Sequence, residues 1–156
     1  PPFGTEFTYF FKEKYSTLED TRKAAEKDKI KNNEEVPFPG WEALEKEKNE
    51  LKPKVWLYIT DKSGNVVQRV KATNSKGVQR VAWDLSTTSM SAITTSNVDR
   101  NYTGSMAAPG KYEGQLMKEI NGVYTPISEK VTVELVPLRK GALEGSDPTE
   151  TAYFMN

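Results

Sequence analysis

The chain contains neither cysteine nor histidine. The missing cysteines exclude disulfides, thiolate nucleophiles and Cys-based metal sites. The missing histidines exclude Ser-His-Asp and Cys-His catalysis, the common zinc geometries and the side chain that titrates nearest neutral pH. An enzyme built from these residues is left with carboxylate, Lys, Tyr or N-terminal chemistry. A net charge is lacking too: 22 Lys plus Arg balance 22 Asp plus Glu, so no global field steers the chain towards nucleic acid or anionic lipid. The balance is also local. Positive and negative residues interleave before Lys54, which is the pattern of a solvated helical face rather than a basic patch. No apolar run approaches a membrane span, and Pro1-Pro2-Phe3-Gly4 has neither the basic nor the apolar region of a signal peptide. The chain opens without Met and is read as an internal fragment from which any targeting signal has been removed.

What is there is 156 residues, 36% hydrophobic and 28% charged, enough for one domain with a modest core and a polar surface appendage. Phe3 to Phe11 is dense in aromatic and β-favouring residues and reads as a buried first strand. Ser16-Thr17-Leu18-Glu19 matches a capping box and opens a helix to about Lys31. Val36-Pro37-Phe38-Pro39 breaks it, and a second helix is expected from Trp41 to about Leu51, with Trp41, Leu44 and Leu51 on one side.

From Lys54 the hydrophobic period changes to two. Val55, Leu57 and Ile59 alternate with Trp56, Tyr58 and Thr60, and Asp61 to Asn65 turns the chain into Val66 to Val70. Val78 to Leu85 follows as a strand with Val81, Trp83 and Leu85 facing one way. Ser86 to Ala108, rich in Ser, Thr and Asn, reads as a long polar loop. Tyr112 to Ile120 leads to Asn121-Gly122, the favoured dipeptide of a type I′ hairpin, and Val123 to Ile127 returns. A last strand around Val131, Val133 and Leu135 is stopped by Pro137, and Ser146 to Glu150 signals the start of a further helix. The resulting division is a module over residues 1–137, with a helical insertion at about 16–52 and a loop at about 86–108, followed by a linker and the start of a truncated helix over 138–156.

The order KVWLYITDKSGNVVQRV, KGVQRVAWDL, APGKYEGQL and EKVTVELVPL resembles the C-terminal module of exported bacterial proteins that carry sortilin-like or BNR-repeat β-propellers and are often labelled glycosyl hydrolases. The resemblance runs from about Pro2 to Pro137. Asp61 with Gly64 to Val67, Lys76-Gly77 with Val81, Trp83 and Asp84, and Pro109-Gly110 with Tyr112 are also similar to the immunoglobulin-like domain of flagellar hook-capping proteins. These likenesses imply a mainly β fold, an immunoglobulin-like or fibronectin-III-like antiparallel β-sandwich of about seven strands, with the two-helix insertion after the first strand. They also imply a secreted, periplasmic or cell-envelope location and a propeller in the parent chain as partner, with any catalytic carboxylates in that propeller. The Ser/Thr-rich stretch after Leu85 departs from the Gly- and Pro-richer stretch of the family.

No catalytic, cofactor-binding or metal-binding residue is assigned, and the chain is expected to be a non-catalytic accessory module. Trp83 and Tyr112 are given structural roles, the first as the large core residue and the second as a tyrosine corner. Trp56 is expected to lie under the helical insertion, with stacking on a sugar as its alternative role. Phe38 and Trp41 are the best candidates for an exposed contact, and as packing residues they would anchor the helix pair to the sheet. A carbohydrate-binding module using these aromatics, and a protein-docking module of the cell envelope, are the alternative functions. Glu42, Glu45, Glu47 and Glu50 read as a solvated helix face rather than a glycosidase acid pair. Asp61 to Asn65 reads as a plain turn rather than a calcium loop. Asn101-Tyr102-Thr103 fits the N-glycosylation pattern.

Overall fold

Strand alternation in the middle of the chain sets the architecture. The computed structural model describes residues 3–89 and 103–137, together with Asp147 and Glu150; the helix start expected at 146–150 and the Asn101-Tyr102 pair of the glycosylation pattern lie largely or wholly outside these. In chain order the elements are β1 (Thr5–Phe11), α1 (Leu18–Lys31), α2 (Trp41–Asn49), β2 (Lys54–Thr60), β3 (Val66–Ala72), β4 (Gly77–Trp83), β5 (Ser86–Thr88), β6 (Thr103–Met106), β7 (Gly110–Ile120), β8 (Val123–Pro126) and β9 (Val131–Leu135). The protein is mainly β; among the described residues every strand pairing is antiparallel, and α1 and α2 fall between β1 and β2.

The largest sheet has the order β3-β2-β7, and β7 carries two strands on its other side: β8 along Met117–Ile120 and β9 along Gly110–Gly114. Asn121 (φ 50°) and Gly122 (φ 79°) both take the positive φ that a type I′ turn requires, so the expected hairpin forms. Val55, Leu57 and Ile59 alternate as expected and are essentially inaccessible. β1 and β4 form a separate two-stranded ribbon that lies over the core face of the large sheet. The contact is close. Phe7 of β1 sits against Gly114 of β7, where a Cβ would stand 2.5 Å from Cε1 of the ring. Val81 and Trp83 of β4 complete the buried cluster.

Several local expectations are corrected. β1 is half-buried rather than buried: Phe7, Tyr9 and Phe11 pack on the core while Phe10 is exposed, because a two-stranded ribbon covers only one of its faces. Its tie to the β3–β4 turn is polar. Tyr9 Oη donates to Thr73 O and accepts from Thr73 N, at 2.9 and 2.8 Å. β4 stops at Trp83, since Leu85 adopts φ 63° and leaves the strand, although it still packs against the core. The expected loop from 86 to 108 is strand at both ends: β5 pairs with β6, and Gln68 of β3 holds β5 through Ser86 Oγ and Thr87 O at 3.3 and 3.2 Å. A Ser/Thr-rich run is polar yet still β-competent.

α1 is capped by Thr17 rather than Ser16, the Thr17 hydroxyl accepting from Asp20 N at 3.1 Å. The expected stripe of Trp41, Leu44 and Leu51 does not form, because α2 ends at Asn49 and Leu51 is exposed in an extended segment. Neither helix contains a buried residue. No helix among the described residues is long and apolar enough to cross a membrane.

Candidate binding surfaces

The residues singled out by sequence separate into three places. Trp83 and Tyr112 come together in the core, with ring centroids 5.3 Å apart in an edge-to-face arrangement. Burying an indole is costly unless its N–H finds an acceptor. Trp83 Nε1 donates to Ser86 O at 2.8 Å, and Ser86 is positioned by Asp84 Oδ1, which accepts from both its backbone N–H and its hydroxyl. The Tyr112 hydroxyl donates to Ala108 O, four residues upstream, at 2.7 Å. Burial, and after it the charge of Asp61, pushes the Tyr112 phenol above its ordinary pKa.

Phe38 and Trp41 form the second place. Their rings meet edge to face with centroids 5.1 Å apart, but they are 62% and 79% exposed and anchor nothing to the sheet. The helical arm is fastened by polar contacts instead. Arg22 of α1 reaches Glu47 of α2 through two hydrogen bonds of 2.7 and 2.9 Å and also pairs with Glu26. Those bonds hold the Glu47 carboxyl below the usual carboxylate range and the guanidinium above its ordinary value. Glu50 accepts from Leu18 N at 2.6 Å at the start of α1, and Leu51 N donates to Asn121 Oδ1 at 3.2 Å in the β7–β8 turn. Glu47 and Glu50 therefore do more than decorate a solvated helix face, whereas Glu42 and Glu45 remain exposed.

Trp56 is the third place. It lies on the face of β2 opposite Val55 and Leu57, and neither helix packs broadly on that sheet. Its Nε1 donates to Glu119 Oε2 at 2.7 Å, and Glu119 is drawn to Lys54 Nζ at 3.5 Å, so a mostly buried carboxylate fixes the ring. In an antiparallel sheet, residues directly opposite share a face. The pairings Trp56–Lys71 and Tyr58–Arg69 towards β3, Trp56–Met117 and Tyr58–Gln115 towards β7, and Glu119–Tyr124 and Met117–Pro126 towards β8 therefore define one outer surface. Tyr58 and Tyr124 approach to 6.0 Å between ring centroids. The sequence reading did not single out Tyr58, Tyr124 or Glu119. The signal was available in the Asn121-Gly122 turn, which fixes the β7–β8 register and with it the partner of each β8 residue.

Two open clefts flank the arm, one of ≈ 540 Å³ beside Leu18, Glu45 and Asn121 and one of ≈ 580 Å³ between Tyr15, Glu50 and Asn74. The second has walls of alternating sign, where Lys14 pairs with Asp20 and Lys23 with Glu19. Asp61 is committed to its turn. Burial pushes its carboxyl up, but hydrogen bonds from the Asn65 side chain and the backbone of Asn65, Ser63 and Gly64 outweigh it and hold the group below the usual range. Among the described residues no three carboxylates gather where a metal ion could sit. In comparisons with protein-family models, curated proteins and solved structures, nothing matches the chain.

Proposed function

We propose that the chain is a non-catalytic accessory module of a larger exported protein, an immunoglobulin-like or fibronectin-III-like antiparallel β-sandwich that packs against or spaces a neighbouring β-propeller. The observation that carries the reading is the helical arm: its two helices are joined by the Arg22–Glu47 ion pair, a hydrogen bond from Leu51 N to Asn121 ties it to the β7–β8 turn, and it presents the Phe38–Trp41 pair outwards at 62% and 79% exposure. Paired aromatic rings on a Pro-bounded connection suit an interface anchor, because they bring large contact area at little conformational cost. The sandwich assignment is supported by the β1–β4 ribbon lying over the large sheet and by Tyr112 bonded back to Ala108 O. Export and the identity of the neighbour follow from the sequence resemblance.

The test is hydroxyl-radical footprinting of the chain alone and of a longer protein that carries it beside a propeller. Phe38 and Trp41 are expected to lose most of their reactivity in the longer protein while Tyr124 keeps its own. Equal reactivity in both settings would remove the docking role. Turnover of chromogenic glycosides by the purified chain would overturn its non-catalytic assignment.

A further inference from the structure

We infer that the outer face of the β3-β2-β7-β8 sheet is a binding site for an acidic glycan, whose sugar rings stack on Trp56, Tyr58 and Tyr124 while their carboxylates meet Arg69 and Lys71. This site is separate from the Phe38–Trp41 pair and from the docking role proposed for it.

Stacking carries the first half of the argument. Trp56 and Tyr58 occupy successive outward positions of β2, roughly 7 Å apart along the strand, and Tyr124 on β8 extends the platform beyond Met117. The Trp56 ring is oriented in advance by its bond to Glu119, so little freedom remains to be lost when a ligand stacks on it. Neither the Tyr58 nor the Tyr124 hydroxyl has a hydrogen-bond partner among the described residues. Both are available to the hydroxyls of a sugar.

Charge carries the second half. Two acids of this face are paired, Glu119 with Lys54 and Glu113 with Lys130 at 2.8 Å, and Glu134 lies across the strand register from Lys111. Arg69 and Lys71 are exposed beside Tyr58 and Trp56, with no carboxylate in ion-pair range among the described residues. The face thus combines stacking surfaces with two surplus cations on its β3 flank. Carboxylated pyranoses match it, since they offer an apolar ring face and an anion to one side. A nucleic acid fits less well, because two cations on one flank of a chain with no net positive charge can neutralise few phosphates of a continuous backbone.

The test is titration calorimetry of the whole chain with oligogalacturonate, with a neutral oligoglucan of equal length and with polyphosphate. Saturable binding is expected for oligogalacturonate and at least about tenfold weaker binding for the other two. Tyr58→Ala and the pair Arg69→Glu/Lys71→Glu should each weaken oligogalacturonate binding by about tenfold or more, and Trp41→Ala should leave it unchanged. The charge reversals are exposed, which keeps the test valid if Tyr58→Ala unfolds. Failure to bind, equal affinity for the neutral chain, equal affinity for polyphosphate, or indifference to the charge reversals would overturn the inference. Footprint protection of Trp41 in the longer protein without uronate binding would sink this site alone, and the converse result would sink only the docking role.

Discussion

Replacing Gly114 by Ala adds one methyl group, and the layering of the fold predicts what it does. A Cβ at this position would lie 2.5 Å from Cε1 and 2.7 Å from Cζ of Phe7. Ordinary contact begins at 3.4 Å, so the ring must retreat by about 0.9 Å, the difference between 3.4 and 2.5. Phe7 cannot retreat alone, because β1 is paired with β4 along its whole length and β4 carries the fully buried Trp83. Overpacking of this kind costs about 1–3 kcal/mol. Removing a glycine also narrows the unfolded ensemble and returns about 0.4–1 kcal/mol, and Gly114 does not use a positive φ that alanine would strain. The net expectation is a loss of roughly 1–2 kcal/mol. With a urea m-value of about 2 kcal/mol/M, the midpoint should fall by roughly 0.5–1 M. The double mutant with Phe7→Leu supplies the decisive reading, because a branched side chain leaves room beside residue 114 and should recover at least about 0.5 kcal/mol of the loss. If Gly114→Ala is neutral, or if its cost is the same in both backgrounds, the ribbon does not lie on that face and the two-layer arrangement fails.

Further outcomes follow from the same contacts. Trp83→Ala should cost about 3–5 kcal/mol in urea unfolding, since the ring is fully buried and Ser86 O would lose its donor. Tyr112→Phe removes the single bond to Ala108 O and should cost about 0.5–1.5 kcal/mol. Because Arg22 hydrogen bonds depress the Glu47 carboxyl, the stability from this tie is fully present above the unfolded-state value near 4.5 and is lost as pH falls through the lower folded-state value. Amide-exchange protection in α1 and α2 should therefore hold from neutrality down to about pH 5 and then decline while the sheets stay protected. Glu47→Gln should show the loss already at pH 7.

The sequence makes the sheet legible where one residue decides an interaction locally. Val55, Leu57 and Ile59 alternate cleanly, and Asn121-Gly122 names its own turn. Trp83 is legible for the same reason, flanked by Val81 on an inward face. Legibility fails where the partner is distant in the chain and the bond is polar. Glu47 looks like any other acid on α2 until Arg22, 25 residues earlier, is placed beside it. Glu119 becomes a support for Trp56 only across a separation of 63 residues. Ser86 to Thr88 has loop-like composition, and it is strand because Gln68 and β6 supply partners that composition does not reveal. Gly114 gives no hint of its role before Phe7 is set over it.

The three tryptophans bring these limits to one point. A strand pattern says which side of the sheet an indole faces, but the environment of its N–H decides what the ring can do. Trp83 donates to Ser86 O inside the core and is closed to solvent. Trp56 donates to Glu119, which leaves its ring oriented and partly exposed on the outer sheet face. Trp41 has no hydrogen-bond partner among the described residues and is 79% exposed. An indole with its N–H satisfied in the interior serves packing, one whose N–H is pinned on an outward sheet face serves stacking, and one held out with its N–H free keeps both its apolar body and its donor available to a partner. On that ordering, a protein partner should protect Trp41 first, and a sugar should perturb the fluorescence of Trp56 without touching the other two.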